Sequence, residues 1–201
     1  MANYRTSRIV PVALVIIVII IAIAALVSLA RVVFFAGSNT NSDTITDVSR
    51  DALLNTSVGR SVSMTVRGPI VADEEFHSYK IDISSNQRAI KTYTGYLETI
   101  VNQNTLGNSV AAYEQFVYAL DKANLVKGVE LEGNENDVRG VCATGSVYEF
   151  SILNNGESVK TLWTSTCKGS PGSLDASTEQ LQQLFTNQIP NSEDLIQDVR
   201  L

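Results

Sequence analysis

Two stretches of the chain, YKIDISSNQRAIKT at residues 79–92 and YEFSILNNGESVKT at residues 148–161, match without a gap at a spacing of 69 residues. In both, apolar and polar residues alternate before a short break that is rich in Ser and Asn. Such alternation is typical of a strand with one buried face, and a break of this length is typical of a hairpin turn. We therefore predict two equivalent β-hairpins, each part of a larger repeated unit.

The residues around the two hairpins also resemble each other. Val66-Arg67-Gly68 precedes the first hairpin, as Val138-Arg139-Gly140 precedes the second. Glu114-Gln115-Phe116 corresponds to Glu179-Gln180-Leu181 in the predicted helices that follow. Because neither hairpin can bury its apolar face alone, we predict an α+β fold with one mainly antiparallel sheet and both helices on one face. The predicted units are repeat one at residues 60–125 and repeat two at residues 138–190.

The N-terminal region predicts a transmembrane helix. Residues 9–30 contain no charged residue, and at 1.5 Å per residue such a helix spans roughly 33 Å, enough for the hydrocarbon core of a bilayer. Arg5 and Arg8 precede the segment, and acidic residues follow Arg31, so the positive-inside rule predicts a cytoplasmic N-terminus. The alternative is a signal peptide cleaved after Ala30, although the apolar run is longer than signal peptides require.

The remaining boundaries follow from composition. A segment rich in Asn, Ser, Thr and Asp separates the apolar region from the first predicted strand and is typical of a flexible linker. The predicted parts are a cytoplasmic tail at residues 1–8, a transmembrane helix at residues 9–33, a polar stalk at residues 34–58 and an extracytoplasmic α+β domain at residues 59–201.

The two cysteines, Cys142 and Cys167, fall on the two strands of the predicted second hairpin and share one face. An oxidising location outside the cytoplasm favours a disulfide between them. An Asn155-Gly156 turn would place Thr144 opposite Cys167, so a bulge or a longer loop is needed to bring Cys142 into register. The alternative is two reduced cysteines in a cytoplasmic core.

Other classes of site have little support. The net charge of −6 argues against a nucleic-acid partner, since binding to phosphates needs a basic surface. His77 is the single histidine and follows Asp73-Glu74-Glu75, but consecutive acids on an extended segment point to opposite faces, so we predict no metal site. We find no catalytic set and no cofactor motif, and we predict a protein without enzymatic activity.

Tyr93 and Trp163 are the candidates for a contact surface. They fall at the ends of predicted strands, on opposite parities. Aromatic side chains are common in binding surfaces because they combine a large apolar area with a polar group.

Three stretches carry a resemblance to a known group of proteins. Residues 66–72, residues 113–120 and residues 162–167 resemble those of uncharacterised single-pass membrane proteins of ultrasmall Saccharibacteria-type bacteria. This resemblance implies a location in the bacterial cell envelope and no particular activity. Residues 148–152, with the Asn155-Gly156 turn and the following helix, are similar to emfourin-type protease inhibitors. The inhibitory residues of that family have no counterpart that can be placed here.

We therefore expect a membrane-anchored surface protein. Its partners would be the lipid bilayer, through residues 9–33, and a protein or surface polymer bound by the extracytoplasmic domain. A tethered protease inhibitor and an enzyme of unrecognised type are the alternatives.

Overall fold

The computed structural model describes residues 42–199, with side chains described from Val48 onward. From Thr46 onward the chain belongs to one compact unit. The helices are α1 (Ser42–Leu54), α2 (Val110–Lys122), α3 (Thr178–Thr186) and α4 (Ser192–Gln197). The strands are β1 (Arg60–Arg67), β2 (His77–Ser84), β3 (Gln87–Thr94), β4 (Thr99–Gly107), β5 (Val147–Asn154) and β6 (Glu157–Ser165).

The six strands form one sheet in the order β4-β3-β2-β1-β5-β6, and every neighbouring pair is antiparallel. Strand β1 lies in the middle, where Met64 is opposite Ile81 of β2 on one side and Phe150 of β5 on the other. Ile81 and Phe150 occupy the same position in the two matching stretches, 69 residues apart. The first strands of the two hairpins therefore flank β1 in the same register.

One face of the sheet carries the main core. Alternate residues of β1, Val62, Met64 and Val66, are buried on this face, as their spacing predicts. Helices α2 and α3 pack on the same face, where the rings of Phe116 and Phe185 meet edge to face at 5.2 Å. A serine side chain before each of these helices accepts a hydrogen bond from a backbone N–H of the first turn and thereby fixes where the helix begins.

The predicted architecture of two strand–hairpin–helix repeats is wrong. Both hairpins share the single central strand β1, and residues 138–140, the predicted counterpart of the end of β1, form no strand. Strand β4 follows the first hairpin, has no counterpart after the second hairpin, and was not predicted. Its sequence, TIVNQNTLG, has no sustained apolar face, because the strand lies at the edge of the sheet and buries little on either side.

The return strand of the second hairpin also departs from the repeat. Asn155 and Gly156 have φ of 52° and 84° and form a two-residue turn, and a bulge follows that sets Ile152 opposite Lys160. As a result Lys160 is buried on the core face, whereas Val159, the counterpart of a buried isoleucine in β3, is 43 % exposed. A shift of one residue exchanges the two faces of a strand, which the gapless match does not reveal.

The predicted stalk at residues 34–58 is partly folded into the domain. Helix α1 occupies its second half, and Leu53 of this helix is 1 % exposed within the main core. The domain therefore begins before residue 59.

The transmembrane helix of the predicted fold is not found. Residues 42–199 contain no helix that is long and apolar enough to cross a membrane. The predicted span at residues 9–33, the tail at residues 1–8 and the start of the stalk lie outside the described residues.

Candidate functional site at the disulfide end of the sheet

A disulfide joins Cys142 and Cys167, with the two Cα atoms 5.4 Å apart. Closing a loop of 25 residues stabilises the folded state by about 3.5 kcal/mol in the chain-entropy estimate. The surrounding chain is closely packed, since a Cβ atom on Gly145 would lie 2.1 Å from Oγ1 of Thr166. The disulfide therefore fixes the path of the segment that leads into β5.

The route to this disulfide differs from the predicted one. Both cysteines lie beyond the ends of the hairpin strands, and the last ladder pair is Val147 with Ser165. Extending this register would place Gly145 opposite Cys167. The bulge therefore moves Cys142 further from the position opposite Cys167. The disulfide forms because the chain before β5 leaves the ladder and turns back toward Cys167.

The disulfide is part of a second apolar cluster, on the sheet face opposite the helices. Trp163 is 4 % exposed and packs with Cys142 and Val147. Leu131 and Val141 cover this group from the segment that connects α2 to β5. This segment therefore closes one end of the second face of the sheet.

The two aromatic residues predicted as a contact surface are not brought together. Tyr93 and Trp163 lie on the same face of the sheet, but four strands apart, which is roughly 19 Å at the usual strand spacing. Trp163 is buried under the disulfide cluster. Tyr93 is partly exposed, and its partial burial raises the pKa of its hydroxyl. Only Tyr93 stays a candidate for an exposed contact.

A cleft of about 450 Å³ opens beside the disulfide cluster, at the end of the sheet where β1 finishes and β5 begins. Its walls come from the loop after β1, the β3–β4 turn and the segment before β5. Apolar side chains, two arginines and one glutamate line it: Ile70, Phe76, Tyr96, Val138 and Val147, with Arg67, Arg139 and Glu98.

Tyr96 builds one wall of the cleft. Its ring stacks on Phe76 with centroids 4.1 Å apart, and its hydroxyl donates a hydrogen bond of 2.8 Å to the carbonyl oxygen of Val71. The backbone N–H of Tyr96 donates to Oδ1 of Asp73 at 2.8 Å. Gly95 lets the turn approach this carboxylate, because its φ is +74° and a Cβ atom would lie 3.2 Å from the carboxylate oxygens. The wall is thus held by side-chain contacts as well as by the strands.

The two arginines differ in their partners. Arg139 donates from Nε to both carboxylate oxygens of Asp137 at 2.9 Å, and these bonds lower the pKa of Asp137 to about 2. The ion-pair contact of Arg67 in the described residues is longer, 3.9 Å from Nη1 to Oε2 of Glu149, with about a third of the side chain exposed. Arg67 is therefore the cation better able to meet a ligand carboxylate, since a contact of that length is not a hydrogen bond.

The matching Val-Arg-Gly triplets predict equivalent strand positions, but their arginines line one cleft in the structure. Arg67 reaches the cleft from the end of β1, and Arg139 reaches it from a loop. The apolar residue Ile70 and the aromatic residue Tyr96 carried no periodic signal, because both lie in turns.

The predicted absence of a metal site was based on His77 and its acidic neighbours. His77 pairs with Thr94 in the sheet, and Asp73–Glu75 form a short 3-10 helix before it. Within the described part of the chain, no group of three His, Cys, Asp or Glu side chains is placed to hold a metal ion.

Comparison with known proteins assigns no family. No protein-family model matches the chain, and a search of curated proteins finds no match. The similarity to Saccharibacteria-type membrane proteins stays a prediction from the sequence.

Proposed function

We propose that this protein works outside the cytoplasm, at the cell membrane, as a non-enzymatic binding or surface-assembly protein. The cleft at the disulfide end of the sheet is the observation that carries this proposal. Binding sites are concave and mostly apolar, with a few polar groups that orient the ligand, and this cleft has that composition.

The chemistry of the cleft favours a protein partner over a carbohydrate polymer. Ile70 and Tyr96 are each 47 % exposed, and they offer apolar surface beside the guanidinium group of Arg67. A polypeptide segment with an apolar side chain next to a carboxylate complements this arrangement, because the carboxylate can meet the arginine while the apolar group is removed from water.

The proposed location has separate support. The Cys142–Cys167 disulfide is stable in an oxidising environment and uncommon in the cytosol. The apolar sequence at residues 9–33 supports attachment to a membrane, and the positive-inside rule supports an outside location for the domain.

The proposal is tested by capture of a partner from solubilised membranes, with the full-length protein as bait. Ile70→Asp places a carboxylate at the mouth of the cleft, where it repels an acidic ligand and removes an apolar contact. We expect the variant to recover at least tenfold less of the partner that the wild-type protein recovers, as measured by quantitative mass spectrometry.

Val129→Asp is the matched control, since Val129 is 73 % exposed and lies outside the cleft. This variant should recover as much partner as the wild type. Equal recovery by the Ile70→Asp protein, or no partner above background for the wild type, would contradict the proposal.

A further inference from the structure

The two edges of the sheet differ in how they are closed. Beyond β6, the N–H of Thr161 donates to Oε1 of Glu130 at 3.0 Å, and the N–H of Trp163 donates to Oγ of Ser173 at 3.0 Å. The carbonyl oxygen of Trp163 accepts the backbone N–H groups of Ser173 and Leu174. Side chains and a loop thus occupy the outer edge of β6 along its central part.

The outer edge of β4 has no such cover in residues 42–199. No backbone hydrogen bond of that part of the chain reaches β4 from outside the sheet. A side-chain contact does reach it, from Nδ2 of Asn102 to Oδ2 of Asp198 at 3.3 Å. The strand therefore presents a row of backbone N–H and C=O groups that a further strand can bond.

Strand β4 also lacks the residues that usually protect an edge. Natural edge strands are commonly short or carry lysine, proline or inward-pointing charges. Strand β4 has nine residues, TIVNQNTLG, and none of them is charged or a proline. A bulge opposite Thr92 and Tyr93 interrupts its beginning, but the register from Asn102 to Gly107 is regular. The edge is thus suited to strand addition over this regular part.

We infer that two copies of this chain join through β4, antiparallel and around a two-fold axis at Gln103, so that their sheets become continuous. In this arrangement Asn102 lies opposite Asn104 of the second copy, and Val101 lies opposite Thr105. Each of these pairs has matching parity, as an antiparallel ladder requires. Strand β4 itself brings no charge to the pairing, although each chain carries a net charge of −6, and Asp198 is an acidic side chain beside Asn102 at this edge.

Exposed apolar residues near the start of β4 strengthen the case for a second copy as the occupant. Leu97, Ile100 and Val101 are 92 %, 49 % and 46 % exposed. Pairing along β4 would remove part of this surface from water, which favours association. Because the edge of β6 is occupied, the assembly closes at two copies and does not extend into a fibre. Leu97 is next to the cleft residue Tyr96, but the regular part of β4 from Asn102 to Gly107 contributes no residue to the cleft. Substitutions at Gln103 therefore test the pairing without changing the cleft.

Charge substitutions at the two-fold centre test this inference. In a Gln103→Lys dimer, the two lysines lie opposite each other, and the same holds for glutamates in Gln103→Glu. We expect each variant alone to dimerise roughly fivefold more weakly than the wild type, since like charges opposite each other destabilise a strand pair. An equimolar mixture of the two should recover or exceed wild-type dimerisation. Sedimentation equilibrium of the full-length protein in detergent measures all four samples.

Val159→Lys on β6 is the control and should leave the dimer unchanged. A second measurement uses Gln103→Cys, whose new thiol is the only free one because the native cysteines are bonded to each other. Mild oxidation should link two copies of this variant, whereas Val159→Cys should stay unlinked. A monomeric wild-type protein, a dimer insensitive to both charges at Gln103, or equal cross-linking at both positions would overturn the inference.

Discussion

Lys160 is a charged residue in an apolar setting. It is 5 % exposed, and its Nζ donates to the carbonyl oxygen of Val126 at 3.1 Å and to Oγ of Ser49 at 3.3 Å. Burial lowers the pKa of this amine below its ordinary value of 10.5, and the carboxylate of Glu130 opposes the shift in part. The side chain ties helix α1 to the sheet, but its charge is held at an energetic disadvantage.

We predict that Lys160→Met leaves the free energy of unfolding at pH 7 unchanged or raises it by about 1 kcal/mol, because methionine fills a similar volume without a buried charge. Lys160→Ala should lower it by roughly 2 kcal/mol through the cavity that remains. Urea denaturation measures both values.

The pH dependence gives a stricter test of the same residue. Between its folded pKa and 10.5, Lys160 binds more protons in the unfolded chain than in the folded chain, so the contribution of Lys160 to stability becomes less unfavourable as the pH rises through that window. The advantage of Lys160→Met should therefore shrink as the pH approaches 10.5. A difference that does not change with pH would contradict the assignment of a buried, destabilised charge.

Single residues were predictable where they follow a period. Val62, Met64 and Val66 alternate in sequence and are buried in the structure. Lys160 was not predictable as a buried residue, because its burial depends on a turn and a bulge that shift the strand by a residue. The burial of Trp163 was not predictable either, because it depends on the segment before β5, which folds over this face of the sheet.

Among the secondary-structure elements, helix α1 belongs to the folded domain and not to a flexible stalk. Leu53 is 1 % exposed in the main core, whereas Val48 of the same helix is 64 % exposed. We predict that Leu53→Ala lowers the free energy of unfolding by about 2 to 5 kcal/mol, the usual effect of removing a buried leucine side chain.

Val48→Ala is the matched control and should change the stability by less than about 0.5 kcal/mol. Thermal or urea denaturation of the full-length protein provides the comparison. Equal effects of the two substitutions would mean that α1 does not belong to the core.

The elements of the hairpins were predictable and the connections were not. Alternation predicted β2 and β5, and their equivalent places beside β1 explain why the match between them has no gap. Strand β4 escaped prediction because an edge strand buries too little to need an apolar face. The cleft could not be predicted because its walls, including Tyr96 and Ile70, come from turns whose positions depend on the whole sheet.

Across the whole domain, three regions surround the sheet: the main core, the disulfide cluster and the cleft. The helices cover one face and supply the main core, the disulfide cluster covers one end of the other face, and the cleft lies beside that cluster. Strand β4 lies at the opposite edge from β6. The cleft takes Tyr96 and Glu98 from the turn before β4, whereas the pairing is centred on Gln103, which does not line the cleft. A dimer can therefore hold a partner in each of its two clefts.

We propose that the domain works outside the cytoplasm with Cys142 and Cys167 joined, and labelling of thiols on intact cells tests both points together. A membrane-impermeant maleimide should leave the protein unlabelled at first. It should then label Cys167, which is partly exposed, after treatment with an impermeant reductant. Labelling without reduction, or labelling that requires lysis of the cells, would contradict the account.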